Sequence, residues 1–235
     1  MINYKVYVIN LKHRIDRKEF FLNHNESFSP IFFDAIIGKE LNSEPPEFFS
    51  PGSYGCALSH FKLWEECINL DEPIVICEDD AILHPSLFAK LQNFININDN
   101  IDIIHFGCNY DSIVDVELST NHRLISRFSN SIITKKDINE FKASFSSNHF
   151  FKLRNSFGMM CYLITPKGAK KLLAINDITE LKWKSLFIPG LNRSINTYTL
   201  DCLLNYYYPN IDSFITLPPL AITQNDKTQS DCTDG

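Results

Sequence analysis

Three adjacent carboxylates follow an apolar run near the middle of the first half of the chain. Ile74 to Cys77 is apolar throughout, and Glu78, Asp79 and Asp80 come directly after it. Adjacent carboxylates repel one another, and a buried charge is costly unless a cation or a donor pairs with it. Hard divalent cations such as Mg²⁺ or Mn²⁺ bridge carboxylates to phosphate oxygens. The segment therefore indicates either a metal site or a solvated turn ahead of a helix.

A second polar cluster lies near the N-terminus, just beyond a predicted strand. Asn10 and Leu11 are followed by Arg14, Asp16 and Arg17. A guanidinium group is planar and permanently charged, so these arginines are suited to phosphates or to the edge of a nucleotide base. A local Asp–Arg pair in a solvated first helical turn explains the same residues, so both interpretations stay open.

Two further candidates lie in apolar surroundings. Ser59 and His60 fall within residues 55–70, where His60 stands at the edge of an apolar stripe with helical spacing. It is therefore either a packing histidine or a functional one. Asp201 stands among leucines, and burial there would raise the pKa of its carboxyl group, as a general base requires. A helix cap or a surface acid accounts for Asp201 equally well.

The elements that must position these candidates alternate along the chain. Such alternation predicts an α/β fold with a largely parallel sheet, in which ligands bind outside the carboxyl ends of the strands. Residues 41–52 are predicted to form a loop, and residues 110–155 show no clear period, which fits a loop or short antiparallel strands. Apolar runs predict strands at 5–11, 30–36, 73–77, 102–108 and 158–164 and near 213, and helices at 14–23, 55–70, 165–173 and 197–208 and from 85 onward.

Composition narrows the class of protein. The chain has 235 residues and a net charge of −6, which argues against nucleic acid as a partner because phosphate backbones require a basic face. Its seven cysteines form no C-x-x-C pair, a pattern typical of a reducing compartment. Neither a signal peptide nor an apolar run approaching ~18 residues is visible. We therefore expect a cytoplasmic protein with at most peripheral membrane association.

Five segments in order carry a family resemblance. They read VYVINLKHRIDRKE, GSYGCALSHFKLWE, ICEDDAIL, MCYLITPKGAKKLL and LDCLL. Each is modest alone, but together they resemble the successive blocks of glycosyltransferase family 25, the lipooligosaccharide and lipopolysaccharide galactosyltransferases of Gram-negative bacteria. The resemblance extends from about residue 5 to about residue 225, with a gap at residues 110–155.

The resemblance implies a GT-A-like fold, with a Rossmann-like, mixed and mostly parallel sheet flanked by helices. It implies one domain over residues 1–235, with a nucleotide-sugar-binding half to about residue 108 and an acceptor-binding half after it. It also implies a UDP-galactose donor, Mn²⁺ (or Mg²⁺), and a lipid-linked glycan acceptor at the cytoplasmic face of the inner membrane. UDP-glucose stays open as the donor, because Met159, Met160 and Cys161 depart from the family pattern before Tyr162.

The resemblance also assigns roles to the candidate residues. Glu78 and Asp80 match the acidic metal-binding motif, with Asp80 as the first choice of ligand and Asp79 at the ribose. Asp201 matches the late acidic element and is the expected base of an inverting, β-forming transfer, with Asp212 and Asp226 as fallbacks. A metal-dependent phosphohydrolase and a non-catalytic glycan-binding subunit are the competing hypotheses. The remaining expected donor-binding residues are Asn10, Leu11, Arg14, Arg17, Ser59 and His60.

Overall fold

The computed structural model describes residues 4–96, 100–128, 133–144 and 147–224. Within these ranges, the apolar runs of the sequence form strands. The strands in these ranges are β1 (Lys5–Asn10), β2 (Pro30–Asp34), β3 (Ile74–Glu78), β4 (Ala81–Leu83), β5 (Ile103–His105), β6 (Ile113–Ser119), β7 (His122–Arg127), β8 (His149–Asn155), β9 (Cys161–Ile164), β10 (Ser185–Ile188), β11 (Arg193–Asn196), β12 (Ser213–Leu217) and β13 (Ala221–Thr223). The α-helices are α1 (Ile15–His24), α2 (Pro51–Leu70), α3 (Leu87–Ile95), α4 (Lys135–Ala143), α5 (Pro166–Leu173), α6 (Asn176–Thr179) and α7 (Leu200–Leu204).

The described strands form one large mixed sheet and two short pairs. Nine of them pair in the order β2-β1-β3-β9-β5-β12-β8-β6-β7, while β4 pairs with β13 and β10 with β11. The predicted α/β class with a mixed sheet flanked by helices is confirmed, and it is compatible with a GT-A-like arrangement. Parallel pairing is less extensive than expected, because β9 inserts antiparallel between β3 and β5. Among the described strands, parallel pairing is limited to β1–β2, β1–β3 and β5–β12.

Strand β3 is covered on both faces, which explains its continuous apolar sequence. Ile74 and Ile76 belong to the core cluster that contains residues of α2 and α5. Val75 and Cys77 belong to the cluster that contains residues of α1 and α3. All four side chains are fully buried. The carboxylates that follow β3 are therefore mounted on a strand held firmly from both sides.

Helix α2 begins one turn earlier than its apolar periodicity predicts. Ser50 caps it by accepting a hydrogen bond from the Ser53 N–H, and Pro51 occupies its first turn, where the missing proline N–H is not needed. The predicted loop over residues 41–52 therefore ends at Ser50. The extra turn matters because Gly52 and Ser53 reach the cleft described below.

The segment without a clear period contains β6, β7 and β8, which pair antiparallel with one another. The alternative of short antiparallel strands is thus confirmed. The sequence did not predict helix α4, although a capping box formed by Thr134 and Asp137 starts it. Two other elements are shorter than predicted, since β9 begins at Cys161 and α7 ends at Leu204. In the described part of the chain, no helix has the length and apolar character needed to cross a membrane.

Strands from the two predicted halves interleave in the large sheet. Strand β9 lies between β3 and β5, and β12 lies next to β5. One sheet thus extends from the N-terminal strands to the β6–β7 hairpin. The assignment of donor and acceptor binding to separate halves stays a prediction.

Asn25 fastens α1 to the strand that follows the carboxylates. Its buried amide group donates to the carbonyl oxygens of Phe21 and Ala81, both over 2.9 Å, and its Oδ1 accepts from the Leu83 N–H over 2.8 Å. A single side chain therefore satisfies backbone groups of the helix end and of β4, where water has no access.

We expect Asn25→Ala to lower the free energy of unfolding by about 2–3 kcal/mol, because it leaves buried backbone groups without this partner. Urea denaturation measures the change. Asn23→Ala is the matched control, since Asn23 is exposed on the same helix, and its effect should stay within about 0.5 kcal/mol. Equal effects of the two substitutions would contradict the role of Asn25.

Candidate functional site

A cleft opens at the edge of the sheet where β1 and β3 end. It has a volume of about 550 Å³, and its walls come from these strand ends, from the start of α2 and from the segments before β9 and α7. Residues from separate sequence blocks thus face one cavity. The predicted site residues that line it are Leu11, Arg17, His60, Glu78, Asp79, Asp80 and Asp201.

The carboxylate of Asp79 is held by two partners from the N-terminal block. Asn10 Nδ2 donates to Asp79 Oδ2 and Arg17 Nη1 donates to Oδ1, each over 2.8 Å. The parallel register, in which Ile9 stands beside Glu78, brings these groups together. Asp79 is only 8% exposed, and these charge-assisted hydrogen bonds satisfy its charge. Its predicted ribose contact stays a prediction.

Asp80 keeps one carboxylate oxygen without a partner. Its Oδ2 accepts a hydrogen bond of 2.8 Å from Thr223 Oγ1, because β13 pairs with β4 and sets Thr223 opposite Ala81. Its Oδ1 is buried and has no hydrogen-bond partner among the described residues. Burial raises the pKa of the Asp80 carboxyl group, while the Thr223 hydroxyl and the charge of Arg17 act in the opposite direction.

The unpartnered oxygen of Asp80 fits a cation ligand, since a cation satisfies a charge that burial has left unpaired. Glu78 lines the same cleft at the end of β3. Among the described residues, no three His, Cys, Asp or Glu side chains are grouped so that they could hold a metal ion by themselves. A cation here would also need oxygen atoms from a bound molecule, because Mg²⁺ is usually held by one or two carboxylates and a phosphate.

Asn10 and Arg14 lie behind the cleft wall and are not among its described lining residues. Asn10 Nδ2 donates hydrogen bonds to Asp79 and to the Arg14 carbonyl oxygen, 3.2 Å away. The Arg14 guanidinium donates two hydrogen bonds to Asp16, so the local Asp–Arg pair is present. Asn10 orients Asp79, and the predicted contacts of Asn10 and Arg14 with a donor stay predictions.

Ser59 also acts from behind the cleft wall. Its buried hydroxyl group donates to the Gly55 carbonyl over 2.8 Å and accepts from the Ile36 N–H over 2.9 Å. This bond fixes the segment before Gly38 against α2, where a Cβ on Gly55 would lie 2.3 Å from the Ile36 oxygen. Only glycine permits so close an approach. Ser59 thus positions the wall of the cleft, and its predicted contact with a donor stays a prediction.

His60 lines the cleft as a neutral imidazole. The Trp64 indole donates to the Tyr162 hydroxyl over 2.8 Å, and that hydroxyl lies 2.9 Å from His60 Nδ1. The indole, the imidazole and the tyrosine hydroxyl thus form one hydrogen-bonded cluster around the tyrosine oxygen. Burial lowers the pKa of His60 to about 4. His60 is therefore uncharged at neutral pH. It packs in the core and lines the cleft, and its functional role stays a prediction.

Asp201 lies at the start of α7, across the cleft from the β3 carboxylates. Its Oδ2 accepts from the Gly158 N–H over 2.7 Å, and its Oδ1 accepts a short hydrogen bond from the Thr199 hydroxyl. Gly158 has φ of +86°, and a Cβ there would lie 2.3 Å from Asn109 Oδ1. The positive φ favours glycine at the position whose N–H holds Asp201. Each carboxylate oxygen keeps a second lone pair for another donor.

The two fallback acids are not part of the described cleft. Asp212 lies near the ammonium groups of Lys152, Lys167 and Lys171, at 3.4–3.7 Å. Partial burial alone would raise the pKa of Asp212, but the lysines hold it below its ordinary value. A carboxylate held by lysines in this way is a poor proton acceptor. Asp226 lies outside the described residues.

Several residues that line the cleft were not predicted. Asn109 and Thr223 are brought there by long-range strand pairing, for which the sequence carries no local signal. Lys39 follows a glycine in a short 3₁₀ turn. Its charge could be read from the sequence, but its position at the cleft could not. Of residues 159–161, which depart from the family pattern, only Met159 is among the described lining residues of the cleft. These unpredicted lining residues include His13, Lys39, Cys56, Asn109, Met159, Thr199 and Thr223.

Comparison with known proteins gives consistent matches. The family model described as glycosyltransferase family 25 (LPS biosynthesis protein) matches residues 3–184. A procollagen lysyl hydroxylase and glycosyltransferase of Acanthamoeba polyphaga mimivirus is 25% identical over 94% of the chain and 25% of its own length. Human procollagen galactosyltransferase 2 is 29% identical over 79% of the chain and 30% of its own length.

A glycosyltransferase 25 family member of Aedes aegypti is also similar, at 27% identity over 86% of the chain and 32% of its own length. The chain thus spans about a quarter to a third of the length of these curated relatives. The match to the family model covers β1, β3, the start of α2 and the segment before β9, and it ends before α7.

A second buried histidine lies behind His60. His105 packs between the rings of Tyr162 and Tyr208, with centroid distances of 5.7 and 5.2 Å. Neither of its ring nitrogens has a hydrogen-bond partner among the described residues. Burial, and secondarily the charge of His60, lowers the pKa of His105 to about 3. Both histidines therefore stay neutral in the folded protein well below pH 6.5.

The unfolded chain binds more protons than the folded one between pH 6.5 and about 4, so stability should fall as the pH is lowered through this window. We expect His105→Leu to reduce the slope of unfolding free energy against pH there by up to about 1.4 kcal/mol per unit. Urea denaturation at several pH values gives the slope, which does not depend on repacking at neutral pH. The exposed His122 supplies the control His122→Gln, and a slope unchanged in His105→Leu would contradict the burial argument.

Proposed function

The chain belongs to glycosyltransferase family 25, and from this premise we propose that it transfers galactose from UDP-galactose to a hydroxyl group of a lipid-linked surface glycan. The description of the family supports sugar transfer and a lipopolysaccharide-type acceptor. The name of the human relative supports galactose. Because two of the relatives are named for procollagen, a hydroxyl group on a protein is the second candidate acceptor.

One observation carries this proposal. The cleft at the ends of β1 and β3 joins a carboxylate with a buried, unpartnered oxygen, Asp80, to a second carboxylate on a different element, Asp201. A sugar nucleotide has a diphosphate at one end of the reacting bond, and the acceptor hydroxyl approaches from the other. Two acids in one cavity, one suited to a cation and one to a proton, match these two requirements.

In the proposed donor complex, Asp80 and Glu78 would hold Mn²⁺ or Mg²⁺, and the donor diphosphate would supply further oxygen ligands. The chemistry expected of such a cation is neutralisation of the charge that develops on the leaving diphosphate. Arg17 lines the cleft while paired with Asp79, so its positive charge lies at this end of the cavity. Lys39 is the other cationic group in the lining suited to phosphate.

The remaining lining residues supply neutral contacts. His60, a neutral imidazole, is suited to hydrogen bonding with a group of the sugar nucleotide at any pH near neutrality. Leu11 and Met159 offer apolar surface in the same lining. Met159 departs from the family pattern, so UDP-glucose is the alternative donor that a screen of UDP-sugars should include.

Asp201 is the proposed base of an inverting reaction. A β-linkage formed from an α-linked donor requires a single displacement, in which one carboxylate takes the proton of the acceptor hydroxyl. The Gly158 N–H and the Thr199 hydroxyl hold Asp201 in place, so its orientation is set before the substrates arrive. Such preorganisation is what proton transfer to a positioned side chain requires.

We also propose that the reaction takes place at the cytoplasmic face of the inner membrane of a Gram-negative bacterium. The description of the family, which names lipopolysaccharide biosynthesis, supports a bacterial source of this kind. The described cysteines are free, even though Cys77 and Cys161 have their sulfur atoms 3.3 Å apart, as is typical of a reducing compartment.

Metal dependence can be measured without an acceptor. In calorimetric titrations, we expect Mn²⁺ to strengthen UDP binding at least about tenfold, a coupling of about 1.4 kcal/mol. Asp80→Asn should remove this coupling, because it removes the charge that a cation would neutralise. Glu72→Gln is the control, since Glu72 pairs with Lys5 on the surface. If Mn²⁺ does not change UDP binding to the unaltered protein, the proposed metal site is wrong.

Asp201→Asn should lower the rate of transfer by about 10²–10⁴-fold, the usual contribution of a positioned general base. Binding of UDP in the presence of Mn²⁺ should be unchanged, which also reports that the fold is intact. Asp212→Asn serves as the control acid, because Asp212 lies among lysines away from the cleft. Transfer that persists in Asp201→Asn would remove Asp201 from this role, and sugar release that needs no acceptor would indicate a hydrolase.

A further inference from the structure

We propose that a saccharide acceptor docks in a second cleft, with Tyr198 as its stacking surface and Asp201 at its inner end. This inference rests on the proposed glycosyl transfer and adds the location and chemistry of the acceptor site. The second cleft has a volume of about 540 Å³. It shares Asn109 and Asp201 with the first cleft, so the two cavities meet at the proposed base.

The carboxylate of Asp201 connects the two cavities, because it belongs to the walls of both. In a single displacement, the base must contact the acceptor hydroxyl while that hydroxyl faces the donor sugar. Asp201 lines both cavities. A molecule in the second cleft therefore has access to Asp201 from a cavity that Glu78 and Asp80 do not line.

Polar and apolar groups share the walls of the second cleft. The polar side chains come mainly from the segment after β5, with Asp111 and Ser112, and from β11 and the residues after it, including Arg193 and Asn196. Phe157, Leu191 and Ile195 add apolar surface. Amide, hydroxyl, carboxylate and guanidinium groups supply both donors and acceptors of hydrogen bonds. A saccharide presents many hydroxyl groups of both kinds, whereas a lipid tail presents none.

An aromatic cluster extends the cleft outward. Tyr198 lines the cleft and is 46% exposed. Its ring lies 6.1 Å from that of Phe48, which in turn lies 5.3 Å from the ring of Trp183. Phe48 and Trp183 are also exposed. Exposed aromatic residues that gather at one place mark a binding surface more often than scattered ones do, and Tyr and Trp rings combine an apolar face with a polar group.

Two features fix the ring of Tyr198 in this cluster. Asn196 Nδ2 donates to the Tyr198 hydroxyl over 3.0 Å, so the tip of the ring is tethered to β11. Phe48 has φ of +71°, an uncommon and costly conformation for a residue other than glycine. The fold sustains this cost where the Phe48 ring meets Trp183 and Tyr198. A tethered, exposed aromatic face beside polar groups is suited to the apolar face of a sugar ring.

The experiment compares donor binding and acceptor use in the same variants. The acceptor probe is a pool of oligosaccharides released from Gram-negative lipooligosaccharide, and the rival probe is a Gly-X-Y peptide that carries hydroxylysine. We expect Tyr198→Ala to raise the KM for the oligosaccharide pool about tenfold, while UDP binding with Mn²⁺ stays unchanged. Tyr198→Phe should recover most of the loss, since it restores the ring. Tyr206→Ala is the matched control, because Tyr206 is equally exposed but does not line the cleft.

The outcomes separate this inference from the function on which it rests. If the unaltered protein transfers sugar to oligosaccharides and Tyr198→Ala keeps the same KM, the docking site is wrong and the function stands. If it transfers sugar to the hydroxylysine peptide and not to oligosaccharides, the saccharide assignment is overturned. If it neither binds UDP with Mn²⁺ nor transfers sugar to either probe, the proposed function has failed, and the inference fails with it.

Discussion

The pairing of Asp79 with Asn10 and Arg17 is the interaction on which the rest of the cleft depends. It joins the end of β1, the first turns of α1 and the turn after β3 through one buried carboxylate. Burying a carboxylate without such partners costs so much free energy that the group becomes protonated or moves toward solvent. With both oxygens satisfied, Asp79 fixes the path of the backbone on either side of it. Glu78 and Asp80 are thereby held in the wall of the cleft.

This pairing also divides the work among three acids that sequence alone leaves equivalent. Asp79 is neutralised by Arg17, so the repulsion that it exerts on Asp80 is reduced. Asp80 receives one hydroxyl group, from Thr223, and keeps Oδ1 unpartnered within the described structure. An unsatisfied buried oxygen costs stability that the fold must supply elsewhere. That cost is recovered if a cation binds, which is why Asp80, and not its neighbour, is the proposed metal ligand.

The sequence predicted what parallel strand pairing determines and missed what long-range antiparallel pairing adds. Leu11, Arg17 and Glu78 to Asp80 follow strands that end at one edge of the sheet, so their convergence could be expected from strand order alone. Gly158 and Thr223 reach the cleft because β9 inserts beside β3 and β13 pairs with β4, and no local pattern announces such pairings. Asn10 and Ser59 were recognised as important, but their hydrogen bonds to Asp79 and to the segment after β2 decide that they support the cleft from behind.

Asp201 shows how a single backbone position can govern a proposed catalytic group. Its orientation depends on the Gly158 N–H, which Gly158 presents with φ of +86°, a conformation that residues with a side chain rarely adopt. Asn109 in turn borders both clefts, and its own N–H is bonded to the Phe157 carbonyl over 2.7 Å. The loop before β9, the segment after β5 and the start of α7 are therefore locked together at one point. If Asp201 is the base, its two substrates meet at this point, and their specificity depends on the walls of the two clefts on either side.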